Sequence, residues 1–195
     1  MEMSFLEKLI VNNRFYNYLY IKFILPRVLN IIDKNIKGNV LEIGCGIGKT
    51  TQAITVRFPS IKIIAVDYDK EQINMANKIF PLELKNRVKF IQGDGSDLKF
   101  KNNSFDAVFE FNAFHHIGSY EKAMSEVYRV LKDKGSFYVL DISKKFFNTL
   151  ILKIDSGQAL FSKEEFVKKL KEKDFTIRYS KHNYLFTVRA IKNAR

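Results

Sequence analysis

The chain has 195 residues, which fits one domain long enough to bury a core. Lysine and arginine number 33 against 21 acidic residues, a net charge of +12 that raises affinity for anions such as nucleic acid, anionic lipid or phosphorylated metabolites. No run approaches 18 uncharged apolar residues, no secretory leader pattern opens the chain, and one cysteine, Cys45, excludes an internal disulfide framework or a cysteine-based metal site, so a cytoplasmic setting is expected.

Ser4 and Glu7 have capping-box spacing and predict a short opening helix. Residues 14–25 are dense in aromatics, with Phe15, Tyr18, Leu19 and Phe23 on one helical face. That face either packs on the core or closes a lid over a pocket. Pro26 breaks or restarts the helix. Val28, Leu29, Ile31, Ile32 and Ile36 carry a helical apolar face on to Gly38, which reads as its stop.

Residues 40–50 then run Val-Leu-Glu-Ile-Gly-Cys-Gly-Ile-Gly-Lys-Thr. An apolar strand ends in glycines at alternate positions, Gly44, Gly46 and Gly48, and an amphipathic segment follows. This predicts strand, tight turn and helix, with backbone open to a ligand and free N–H groups at the helix start. A dinucleotide loop would need its third glycine at position 49, which is Lys49. A phosphate loop ending in Gly48-Lys49-Thr50 would need its first glycine at 43, which is Ile43.

A second strand, 62–66, ends in Asp67, about 20 residues past the loop, where nucleoside-binding units place an acid on ribose hydroxyls. Asp69 reads as the cap of a helix over 70–80, with Gln72 in capping-box position. A third strand, 88–92, ends in Gly93-Asp94-Gly95, and a fourth covers 105–111. A helix over 119–132 leads to a fifth strand over 135–141. Residues 144–161 follow no clear pattern. Ser162 and Glu165 cap a helix to about Lys173, and its lysines, interleaved with Glu164, Glu165 and Glu172, read as a solvated face. Strand candidates 175–180 and 184–191, separated by three residues, look antiparallel.

The acidic residue followed by G-x-G-x-G (Glu42, Gly44, Gly46, Gly48), with acids at the next two strand ends, resembles the class I S-adenosylmethionine (SAM)-dependent methyltransferases, small-molecule branch. The likeness is close over residues 39–143. One departure is the turn before the fifth strand, where Asp133 and Lys134 stand in place of the family's Pro-Gly. The resemblance implies an α/β, Rossmann-like, doubly wound and mostly parallel seven-stranded sheet with a C-terminal antiparallel hairpin. It is read as one domain, 1–195: a helical extension or lid (1–39), a SAM-binding core (40–143), and a C-terminal helix and hairpin (144–195).

The resemblance also implies SAM as cofactor and S-adenosylhomocysteine as product. It gives Asp67 the ribose hydroxyls, Tyr68 the adenine face, Asp94 the adenine amine and the Gly95 N–H a ring nitrogen. Glu42 would lie near the SAM ammonium, Glu110 counts among the cofactor-binding residues, and Lys49 points to solvent or to the SAM carboxylate. The acceptor belongs past the fourth strand, where no proline stands and His115-His116 closes the loop. Either histidine could be a general base, since histidine titrates near neutral pH; either could instead cap or pack the next helix. The acceptor expected is a small molecule. The alternatives are RNA, an anionic lipid head group, or a SAM-binding module without turnover. No stable protein partner is inferred.

Overall fold

The computed structural model describes residues 13–144, 161–182 and 185–194. The capping-box pair Ser4 and Glu7, nearly all of the unassigned 144–161 stretch, and Asn183-Tyr184 at the last turn lie outside them.

Helix α1 (Arg14–Leu19) runs into a π-helical turn, Tyr20–Ile24, and then into α2 (Leu25–Ile31). Pro26 stands in the first turn of α2, so it restarts the helix. The wide turn closes when Leu25 N–H donates to the Tyr20 carbonyl, and Arg27 Nη1 donates to the Phe23 carbonyl. The helix stops at Ile31, short of Gly38. Asp33 is the cause. Its carboxylate accepts from Asn35 N–H and its carbonyl from Ile36 N–H, a local turn that competes with helix. Gly38 opens β1 instead, at φ +91°. A side chain there would collide with the Asp106 carboxylate.

After β1 (Gly38–Ile43) come α3 (Lys49–Arg57), β2 (Ile61–Asp67), α4 (Lys70–Ile79), β3 (Val88–Gln92), β4 (Phe105–Phe111), α5 (Tyr120–Val130), β5 (Leu131–Ile142), α6 (Lys163–Glu172), β6 (Phe175–His182) and β7 (Leu185–Lys192). The sheet order is β3-β2-β1-β4-β5-β7-β6. The first five strands are parallel, and β7 inserts antiparallel between β5 and β6. This is the seven-stranded sheet expected, and its reversal point falls between β1 and β4.

Val40, Leu41 and Ile43 are buried, as a central strand covered on both faces requires. One layer packs Phe114, Met124 and Val127 against Phe137, Phe166 and Phe186. The opposite layer packs Val28, Ile54 and Ile73 against Phe109 and Tyr138. Ser162 and Glu165 form the expected capping box. At α4 the box does not form. Asp69 accepts from Glu71 N–H, while Gln72 turns into the interior. β5 begins at Leu131, earlier than expected, because α5 ends one residue before it.

Candidate active site

The carboxyl ends of β1, β2, β3, β4 and β5 surround one cavity of about 630 Å³. Its floor is the glycine loop. Gly44 and Cys45 donate backbone N–H groups to the Val66 carbonyl, at 2.7 and 3.1 Å. Gly44, Gly46 and Gly48 all take positive φ, which the chain direction demands between strand and helix. Their surroundings differ. A Cβ on Gly44 would collide with Ala113, and one on Gly48 with the Phe90 ring. A Cβ on Gly46 meets nothing nearer than Gln72 Oε1 at 3.9 Å, so its α-carbon faces open space. Gly44 and Gly46 line the cavity, and Gly48 packs behind it as the uncapped N-cap of α3.

Asp67 stands at the end of β2. Its Oδ2 accepts from Gly46 N–H at 2.7 Å and its Oδ1 from Asp69 N–H at 2.9 Å. Burial raises its pKa, and the two backbone hydrogen bonds oppose that rise. Tyr68 is half-exposed on the rim. Asp94 and Gly95 line the wall beyond β3, with Asp94 Oδ1 held by Ser96 N–H and Oγ. Lys49 also lines the cavity, and partial desolvation lowers its pKa. Cys45 is buried, and burial drives its thiol pKa well up, so it stays a neutral thiol.

Glu42 and Glu110 do not line the cavity. Glu42 lies fully buried beneath the loop, and desolvation pushes its pKa up to about 7, tempered by Thr51. Its Oε2 has no partner in normal hydrogen-bond geometry. Glu110 turns back behind the wall, where its Oε1 accepts from the N–H groups of Ala113 and Phe114 at 2.7 and 3.1 Å. This cap holds the loop that carries the histidines.

His115 and His116 both reach the cavity, with ring centroids 4.0 Å apart. His115 is buried, and its Nδ1 lies 2.5 Å from Asp141 Oδ1. Asp141 Oδ2 accepts from the His115 backbone N–H at 3.2 Å, and Oδ1 also accepts from Ile142 N–H at 2.6 Å. Burial, and then the charge of Asp141, push the Glu110 carboxyl well above its ordinary pKa. Asp141 was legible in the sequence only as the last residue of a strand. The signal for it was its place at the carboxyl end of β5, beside β4, where open α/β sheets gather their ligands. Asn112 was also missed. It takes φ +59° on the cavity wall, and its buried Oδ1 has no hydrogen-bond partner.

The remaining wall is apolar and comes from the first helices. Leu19, Tyr20, Phe23 and Ile24 face the cavity, joined by Ile142 and Leu185. Tyr20 Oη lies 2.9 Å from Thr50 Oγ1, which ties the segment to the start of α3.

Residues 41–139 match the family model described as a methyltransferase domain. The chain belongs to this family, within the class I SAM-dependent methyltransferases. A sterol 24-C-methyltransferase of Aspergillus fumigatus is 35% identical over 103 residues, covering 52% of this chain and 27% of that protein. A sterol 24-C-methyltransferase of Kluyveromyces lactis is 33% identical over 103 residues, covering 52% and 28%. The chain thus spans little more than a quarter of the length of these curated relatives. Among solved structures, a chain of the Haloferax volcanii complex between the Trm112 methyltransferase activator and a methyltransferase superposes with a TM-score of 0.82, at 13% identity and full coverage of both chains. A Bacillus halodurans methyltransferase superposes with a TM-score of 0.74 at 19% identity, covering 87% of this chain and 99% of that one. At such identities the likeness speaks for the fold.

Proposed function

We propose that the protein binds SAM along the glycine loop and transfers its methyl group to a small molecule with a largely apolar body. The observation that carries this is one cavity whose lining is of two unlike kinds. Its lining includes Gly46, Asp67 and Asp94, and also His115, His116 and the apolar side chains of Leu19, Phe23 and Ile24. When bound, SAM supplies a methyl group on a sulfonium, which moves by in-line displacement to the acceptor.

The residues present fit that cofactor. Gly46 leaves room for close approach to the main chain, and Asn112 Oδ1 is a buried acceptor with nothing yet to accept from. Asp67 would take the ribose hydroxyls with lone pairs not used by the loop, since a carboxylate offers about four acceptor positions. Tyr68 would lie against the adenine face, Asp94 would accept from its amine, and Gly95 N–H would meet a ring nitrogen. Glu42 would act from beneath the loop on the ammonium, and Glu110 from behind the wall by shaping the loop over 112–116. His115 would take the acceptor's proton at Nε2, because Asp141 holds Nδ1; His116 would help to seat the acceptor. The sterol methyltransferase relatives support a small lipophilic acceptor, as does the apolar wall.

Calorimetry tests the cofactor half: SAM and S-adenosylhomocysteine should bind and raise the melting temperature, whereas NAD and ATP should not. Stabilisation by ATP alone would overturn the reading of the loop. Transfer of radiolabelled methyl to a panel of metabolites and lipid extracts tests the other half. SAM binding with no transfer to any acceptor would leave a binding module, and transfer to RNA alone would replace the acceptor class.

A further inference from the structure

Large apolar side chains scattered singly on a surface are ordinary; a cluster of them is not. Within nine residues, Phe15, Tyr18, Leu19, Ile21 and Phe23 are 69, 56, 36, 52 and 50% exposed. The same segment is the apolar wall of the cavity. Leu19, Tyr20, Phe23 and Ile24 line it, while Phe15, Tyr18 and Ile21 do not. One short stretch therefore joins an exposed apolar surface to the inside of the site. The π-helical turn, Tyr20–Ile24, lies at that junction. Such turns are rare and gather at functional sites.

The charge around the cluster indicates what it meets. Residues 8–32 contain Lys8, Arg14, Lys22 and Arg27 and no acidic residue, in a chain of net charge +12. Lys22 Nζ sits 5.7 Å over the Tyr18 ring and 5.4 Å over the Phe23 ring, so a cation is held among the exposed aromatics. Aromatic and aliphatic side chains interleaved with cations and free of acids make the pattern that enters the boundary between head groups and acyl chains. A second copy of this chain is a poor occupant, because pairing through the strip would bring like charges together. No helix among the described residues is long and apolar enough to cross a membrane, so attachment through this segment would be peripheral.

We propose that residues 15–23 seat the enzyme on an anionic bilayer surface, and that the acceptor is an amphiphile passed from that surface into the cavity. This rests on the methyltransferase reading above. Phe15, Tyr18 and Ile21 enter the interface, Lys22 meets anionic head groups, and Leu19, Phe23 and Ile24 form the apolar path inward. Tyr20, 2.9 Å from Thr50, ties this segment to the start of α3 beside the glycine loop.

The test is sedimentation of the full chain with phosphatidylcholine vesicles, with and without phosphatidylglycerol. SAM binding is measured by calorimetry on the same samples. The parent should bind the anionic vesicles and ignore the neutral ones. The double variant Phe15→Ser/Ile21→Ser alters exposed residues outside the cavity and should keep its melting temperature and SAM affinity. Its partition onto anionic vesicles should fall about tenfold or more. Lys22→Glu should weaken partition by about fivefold or more, and gives an independent reading if the double variant is less stable. Failure of the parent to bind anionic vesicles would overturn the proposal. So would partition that the double variant retains in full, since that is attraction by general charge. A dimer, or an RNA complex, that the same double variant abolishes would overturn it by naming another occupant. A parent that binds SAM but no vesicles sinks the surface alone, whereas one that binds neither sinks the underlying reading.

Discussion

Asp67 holds the glycine loop with the same carboxylate that is proposed to meet the ligand. Both of its carboxylate oxygens already hold backbone N–H groups, from Gly46 and Asp69. Removing it should cost SAM binding about 1.5–3 kcal/mol, the range for charge-assisted hydrogen bonds. Asp94→Ala should cost less, because Asp94 would contribute a single ligand contact. Gly46→Val should abolish SAM binding, since the added side chain enters open cavity, and should also lower the melting temperature, since a β-branched residue is strained at φ +53°. Calorimetry on the three variants checks this, and an unchanged affinity for Asp67→Ala removes that residue from the site. Under the proposed mechanism Asp141 would act through His115, whose Nδ1 it holds. With Asn in its place the imidazole is free to present the other nitrogen, so kcat should fall by about 10²–10⁴, the worth of a general base, with SAM affinity retained. Normal turnover by Asp141→Asn would reduce the buried pair to a structural contact. His115→Ala, assayed alongside, should lose a similar factor, because the two residues act as one unit.

At the scale of elements, the first helices are the informative part. The core from β1 onward completes the glycine loop and the acids at the strand ends without them. What α1 and the π-helical turn add is the apolar wall. Deleting residues 1–25 should leave Val28 and Ile32 in place to cover Tyr138 and Phe109, so the protein should remain folded. The truncated chain should bind SAM with nearly the parental constant and lose most turnover, as a lid that excludes water and positions the acceptor requires. Full activity after truncation would refute the lid, and aggregation would show that the segment is core packing instead.

At the scale of the whole molecule, Glu42 couples the site to stability. Burial raises its pKa from 4.5 to about 7. Between those values the folded protein holds a proton that the unfolded chain has released. Stability therefore falls as pH rises through this window, and the full cost, about 3 kcal/mol, applies above it. Glu42→Gln should abolish that slope, and above pH 7 the ligand-free variant should melt higher than the parent. Parallel melting curves for the two proteins from pH 5 to pH 8 would show that Glu42 titrates normally in the fold.

Sequence alone determined the order of strands and helices, the glycine loop with Asp67 and Asp94, and the family to which they belong. Those features are local: apolar periodicity, turn residues and short spacings carry them. Other features depended on which chain ends meet in space. Asp141 joins His115 across 26 positions only because β5 lies beside β4. Glu110 and Gly48, adjacent in sequence to cavity residues, turn away from the cavity because a strand alternates its faces and because Gly48 lies against the Phe90 ring. Helix α2 stopped at Ile31, ahead of the glycine that looked like its end, because the Asp33 turn outcompetes helix there. Nor could periodicity say that α1 would leave one side exposed and turn the other to the cavity. A helical stripe reports that apolar side chains share a face, and only the packed sheet decides what that face meets.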